Sequence, residues 1–188
     1  LIAALLVAAA VNFLITRNKN IRMGLGAFFV LGILLTGTFF ATRQSPVWQN
    51  VPVLNRLINF NSALNDIKPR VWTWGSGLSG VLEKPISGWG AENFSPVFDK
   101  YYNPNHFGIE SFFDRTHNIF LEYAITGGLL TLLPWLAIFF FYYQRLRQRQ
   151  KDAWYSVLFV LPIAYLVQGF FLFDTLPIYI VLFVFLAL

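Results

Sequence analysis

The chain has 188 residues, of which 56% are hydrophobic and 12% charged, and it carries a net charge of +5. A soluble domain averages about 25% charged residues, so this composition argues against a soluble enzyme and for a membrane protein. With no cysteine in the sequence, disulfides and thiolate chemistry are excluded within these 188 residues.

Apolar segments are read at residues 1–16, 23–41, 127–143, 154–173 and 175–188. The segment 23–41 carries no charge and is about long enough to cross a ~30 Å hydrocarbon core. The first segment lacks the basic start and small-residue cleavage site of a signal peptide. The chain begins and ends inside apolar runs and has no initiator Met, so it reads as a fragment of a longer membrane protein. Aromatic residues make up 19%, including 21 Phe and 6 Trp, which suits lipid contact and interfacial belts.

Two short stretches between apolar segments are basic. Arg17, Lys19 and Arg22 form one, and Arg145, Arg147, Arg149 and Lys151 the other. The positive-inside rule makes both cytoplasmic, which places residues 42–116 on the opposite, external side. The runs are short and tethered between spans, which argues against nucleic-acid binding. The expected fold is an all-α polytopic transmembrane bundle with a large external helical loop. Its parts are residues 1–41, two transmembrane helices; 42–116, an external catalytic loop with amphipathic helices; and 117–188, a histidine helix followed by C-terminal transmembrane helices.

The external loop, at roughly 75 residues, is too long for a simple connection. Leu54, Leu57, Ile58 and Leu64 predict a short surface helix over 54–65. Pro69 suits the first turn of a second helix, running to about Leu82. On that helix Val71, Trp74, Leu78, Val81 and Leu82 make an apolar face, and Thr73, Ser76, Gly77 and Gly80 a small-residue face that admits a close neighbour. Arg70 lies at the seam, where a guanidinium can fork onto a phosphate or serve as a structural ion pair.

Gly88 and Gly90 mark turns but do not form a dinucleotide-binding fingerprint. Asn93-Phe94-Ser95 matches a glycosylation sequon, a pattern common by chance. The run 101–105 reads as a polar turn with aromatic rims, suited to interfacial anchoring or to sugar faces. Asp114-Arg115-Thr116-His117-Asn118 then opens a further helix, with Asp114 or Thr116 as its cap and His117 in its first turn. There the helix dipole disfavours the protonated imidazole, leaving a ring able to accept a proton. Capping is the alternative role. His106, Glu110, Asp114 and His117 match no standard zinc spacing.

Three pieces in order, Arg70-x-x-x-Trp74, Pro85-x-x-Gly88-x-Gly90-x-x-Asn93-Phe94 and His117-Asn118-(x9)-Gly128-x-x-Thr131, resemble the O-antigen ligase and O-antigen polymerase superfamily of bacterial membrane glycosyltransferases. The resemblance covers roughly residues 10–188. It implies a multi-pass protein of the bacterial inner membrane with its active site facing the periplasm. It also implies an undecaprenyl-pyrophosphate-linked glycan as donor, a hydroxyl acceptor such as lipid A-core, and no metal or cofactor. Carried onto this chain, Arg70 would hold pyrophosphate and His117 would be the base. Trp74, Gly88, Gly90, Asn93, Arg115 and Asn118 would bind substrate. The family's further arginine, from an upstream external loop, is not seen here; Arg43 and Arg56 do not obviously substitute for it. A ligase fits the last motif well. A polymerase or a protein O-glycosyltransferase differs only in acceptor, and a transporter or flippase of lipid-linked glycans would call for charges within the spans.

Overall fold

The computed structural model describes residues 2–16, 18–45, 60–150 and 154–187. Every regular element among the described residues is a helix. They are α1 (Ile2–Ile15), α2 (Lys19–Thr42), α3 (Phe60–Glu83), α4 (Phe94–Lys100), a 3-10 turn at Pro104–His106, α5 (Ile119–Gly127), α6 (Leu129–Leu146), a 3-10 turn at Arg147–Arg149, α7 (Tyr155–Gly169) and α8 (Leu176–Ala187). Leu54, Arg56, Leu57 and Ile58, with the first half of the expected 54–65 helix, lie outside the described residues, as do Arg17 and Lys151.

Among the described residues two stretches are long and apolar enough to cross a membrane, Lys19–Thr42 and Leu129–Arg149. At 24 residues α2 rises about 36 Å, and none of its residues is buried. The helices α1, α7 and α8 are apolar but shorter. The expected span over 154–173 is therefore cut short: α7 stops at Gly169, and residues 170–175 are irregular.

The chain divides into two compact units, Phe13–Lys68 and a second made of Leu1–Asn12 with Pro69–Leu188. In the first, Asn18 caps α2, its side-chain oxygen accepting from Asn20 N at 3.0 Å and Ile21 N at 3.4 Å. Thr38 and Thr42 donate back to the carbonyls of Leu34 and Thr38 (2.8 and 2.7 Å), which satisfies hydroxyls on an otherwise apolar helix.

The second unit holds the candidate chemistry. Pro69 lies inside α3 rather than at its start. A proline removes one backbone donor and kinks a helix without having to end it, and the turns that follow are anchored by packing. Thr73 and Ser76 are buried. A Cβ on Gly80 would meet Val97 at 2.3 Å, and one on Gly77 would meet Ile125 at 3.1 Å. The small-residue face thus receives α4 and α5. Of the apolar face, Val71, Leu78 and Leu82 are exposed.

One core cluster gathers Phe94, Val97, Phe98, Phe113 and Ile125. A second joins Ile119, Trp135, Phe139 and Leu182, with Tyr123 stacked on Trp135 at 4.6 Å. Pro162 cannot donate to the carbonyl four residues back, that of Leu158. The Tyr142 hydroxyl donates to that carbonyl instead, at 2.8 Å, tying α6 to α7. A backbone acceptor in an apolar bundle has few other partners.

Candidate active site

The segment 114–118 is not the first turn of a helix. Asn118 is the N-cap, its side-chain oxygen accepting from Phe120 N (3.0 Å) and Leu121 N (3.1 Å). Neither Asp114 nor Thr116 caps, and His117 stands one residue outside the helix with φ of +52°. An Asn side chain reaches the N–H groups two and three residues on, so the helix starts later than the sequence suggested. The left-handed backbone is unusual for histidine and costs on the order of 1–3 kcal/mol.

The neighbours of His117 hold that conformation. Thr116 has no solvent exposure. Its N–H donates to Glu122 Oε2 (3.1 Å), and its hydroxyl lies within donating distance of that oxygen (2.9 Å) and of the Asn118 carbonyl (2.8 Å). The indole N–H of Trp74 donates to the Thr116 carbonyl at 3.0 Å. The His117 ring stands edge-on between Phe113 (5.5 Å) and Phe173 (5.1 Å).

His117 Nδ1 lies 3.2 Å from the Arg115 carbonyl. A carbonyl only accepts, so Nδ1 carries the hydrogen and the lone pair of a neutral ring is on Nε2. Orientation therefore comes from a backbone oxygen rather than from the carboxylates of Asp114 or Glu122. The ring is half-buried, and its unprotonated nitrogen is the atom suited to take a proton.

Arg70 Nη1 donates to the Phe171 carbonyl at 2.8 Å, using one of several guanidinium N–H donors. One turn on, Trp74 packs against Phe170 (5.3 Å) and Phe171 (6.0 Å). Loop 170–173 thus touches Arg70 through Phe171 and His117 through Phe173. Two residues far apart in sequence therefore contact the same loop.

Arg115 is engaged by carboxylates. Its Nη2 donates to both oxygens of Glu92 (2.6 and 2.7 Å), and Nη1 lies 3.6 Å from Glu122. Burial alone would lower its pKa, but the two glutamates outweigh that and raise it. Its guanidinium sits over the Phe173 ring at 5.4 Å.

Gly88 and Gly90 support the helix junction. Trp89 N and Gly90 N donate to the Ile125 and Thr126 carbonyls (2.7 and 2.9 Å), while Leu129 N and Leu130 N donate to the Pro85 and Ile86 carbonyls (2.8 and 3.3 Å). One loop so satisfies orphan carbonyls at the end of α5 and orphan N–H groups at the start of α6. Both sides of the contact require glycine. At φ +65° a Cβ on Gly88 would lie 2.4 Å from the Ile125 carbonyl, and at φ +63° one on Gly128 would lie 2.3 Å from that of Ile86. Asn93 is exposed, its amide donating to the Trp89 carbonyl at 3.0 Å.

His106 has no solvent exposure, with its ring among those of Trp72, Phe98, Tyr102 and Phe113. Its Nδ1 lies 3.1 Å from the Glu110 carbonyl and its Nε2 has no partner among the described residues. Burial lowers its pKa. Among the described residues no group of three or more His, Cys, Asp or Glu is placed to hold a metal ion.

Sequence reasoning passed over Glu92 and Asp174 as site residues, and considered Glu122 only as a carboxylate that could orient the His117 ring. Asp174 was legible as a lone carboxylate between two apolar segments, a position that charge rarely occupies without cause. It accepts from the Tyr165 hydroxyl at 2.6 Å.

The family described as O-antigen ligase matches residues 1–136, which include Arg70, Trp74, the Gly88 loop and His117. No curated protein and no solved structure matches the chain. Helices of membrane-spanning length and the family together make this a membrane protein. On a match over most of its length, the chain belongs to the O-antigen ligase family.

Proposed function

We propose that the protein is a glycosyltransferase of the inner membrane that moves a glycan from undecaprenyl pyrophosphate to a hydroxyl acceptor at the periplasmic face. The acceptor oxygen attacks the anomeric carbon of the donor. That C–O bond forms as the bond from the anomeric carbon to the phosphate oxygen breaks, and its electron pair leaves with the pyrophosphate. The acceptor proton passes to His117 Nε2. Arg70 stabilises charge developing on the leaving group, where a preorganised cation lowers the barrier. Arg115 and Asn118 act mainly by holding the His117 turn, and Gly88, Gly90 and Asn93 by holding the junction. Trp74 both packs the site and anchors Thr116.

The observation that carries this reading is the contact of His117 Nδ1 with the Arg115 carbonyl, which leaves Nε2 as the basic atom beside a loop that also holds Arg70. An apolar cavity of about 460 Å³ supports it further. It is lined by Ala4 and Leu5 of α1 and by α7 and α8, and it includes Phe173 in its wall. A polyprenyl chain is a suitable occupant.

The test is glycan transfer in membranes containing the full-length protein, with an undecaprenyl-pyrophosphate-linked glycan as donor. Wild type should transfer, and His117→Ala should lose about 10²- to 10⁴-fold, the usual contribution of a general base. The product mass separates a lipid A-core acceptor from a growing glycan or a protein. Absence of transfer by wild type to all three acceptors, or full activity in His117→Ala, would defeat the assignment.

A further inference from the structure

Below Arg115 lies a second cavity, of about 190 Å³, whose wall includes Glu92, Arg115, Glu122, Thr126, Asp174 and Tyr179. It would hold about six waters at ~30 Å³ each, which is one sugar ring rather than an extended chain. Its polar wall is internally ordered. Tyr123 donates to the Tyr179 hydroxyl at 3.1 Å, Tyr179 in turn reaches the Asp174 carboxylate, and Tyr165 donates to that carboxylate from the other side. Removing polar groups from water among apolar helices is costly, and this half-buried chain has no part in orienting His117.

We propose that this cavity binds one hydroxyl-bearing sugar ring of a glycan substrate, with Asp174, Tyr179 and Glu122 as its hydrogen-bonding wall. The inference rests on the glycosyl-transfer reading. Three carboxylates face one guanidinium there, a balance that repels a diphosphate and admits a neutral or amino-bearing sugar. Carboxylates and tyrosine hydroxyls match a ligand that offers hydroxyl donors around its whole edge. The location is equally apt. Arg115, in the cavity wall, lies over the Phe173 ring, which also packs against His117, so two side chains, Arg115 and Phe173, link the cavity to the base. Burial raises the Asp174 pKa despite its two tyrosine donors, and a sugar hydroxyl is a fitting partner for such a carboxyl. The ring is either the accepting sugar or the first sugar of the donor.

The experiment uses the full-length protein in lipid nanodiscs. Saturation-transfer NMR with free glucose, galactose and glucosamine reads binding directly, and transfer kinetics with each substrate varied reads its source. Saturation should reach the ring protons of at least one sugar and fall about five- to tenfold in Tyr179→Phe and Asp174→Asn, the scale of one lost hydrogen bond. Thr126→Val replaces either variant if it fails to fold. In the same variants KM should rise for one substrate by more than kcat falls. A rise for the acceptor assigns the cavity to the accepting sugar, and a rise for the donor assigns it to the transferred glycan. Absence of saturation transfer from all three sugars, equal signals in wild type and folded variants, or a loss confined to kcat would overturn the proposal. Sugar binding by a wild type that transfers nothing would instead count against the glycosyl-transfer reading and leave the cavity assignment standing.

Discussion

The indole N–H of Trp74 donates to the carbonyl of Thr116 at 3.0 Å, so α3 is bonded directly to the residue before His117. The same helix carries Arg70, which bonds to the loop that supplies Phe173 to the His117 ring. The proposed anion-binding and proton-accepting residues therefore share one framework. Trp74→Phe keeps most of the ring and removes the bond. Transfer should fall several-fold, with a stability loss of about 1 kcal/mol. Thermal unfolding in detergent, measured beside transfer rates, checks it; unchanged transfer with lowered stability would confine Trp74 to packing.

The positive φ of His117 separates its chemistry from its backbone. Glycine adopts that conformation without strain, whereas alanine does not. His117→Gly should lose transfer as fully as His117→Ala and be more stable than it by about 1 kcal/mol. Equal melting temperatures for the two variants would mean that the turn relaxes and stores no strain.

Across the junction of α5 and α6, Gly88 lies against the backbone of residues 125–128 and Gly128 against that of Pro85 and Ile86. Alanine at either position adds a clash to an unfavourable φ, with no flexible side chain able to yield. Each variant should be destabilised by at least about 2 kcal/mol and lose transfer through misfolding. A stable Gly88→Ala protein with a raised donor KM would return Gly88 to the substrate-binding set.

The two glutamates on Arg115 should behave differently. Glu92 is 72% exposed, so Glu92→Gln should cost no more than about 1 kcal/mol. Glu122 also accepts from Thr116, so Glu122→Gln disturbs the turn that holds His117 and should reduce kcat more than Glu92→Gln does. Comparing kcat for the two folded variants decides it, and equal kcat values would show that the ion pair does not position the turn.

The enclosed His106 predicts a pH dependence. Its folded pKa lies below the ordinary value of 6.5 because burial disfavours the charged ring. Between those two values the unfolded chain binds more protons than the folded one, so stability is present above pH 6.5 and is lost as pH falls through the folded pKa. His106→Phe, which suits the aromatic surroundings, should flatten the melting temperature between pH 7 and pH 5 relative to wild type. A slope equal to that of wild type would place the acid sensitivity elsewhere.

Much of the site is legible in the residues and their spacing. Arg70 and His117 stand out because charge and imidazole are rare beside apolar spans, and the spacing Thr73, Ser76, Gly77, Gly80 announces a close-packed face that α4 and α5 occupy. The helix starts are less legible. Asn118 caps in place of Thr116 because cap choice depends on which N–H groups a side chain can reach once the neighbouring turn is fixed, and that turn is fixed by Glu122 and Trp74.

By itself, the sequence determined the helical class, the apolar segments that become α2 and α6, and the residue types available for the chemistry. These follow from local composition and period, which do not depend on what packs against them. Only the tertiary structure decided that Gly88 and Gly90 hold a helix junction, that Arg115 is shared between two glutamates, and that Asp174 lies in a cavity wall with Arg115. Each of those roles depends on a partner distant in the chain. Pattern along a sequence records the chemistry of each residue but not the partner that three-dimensional packing brings to it.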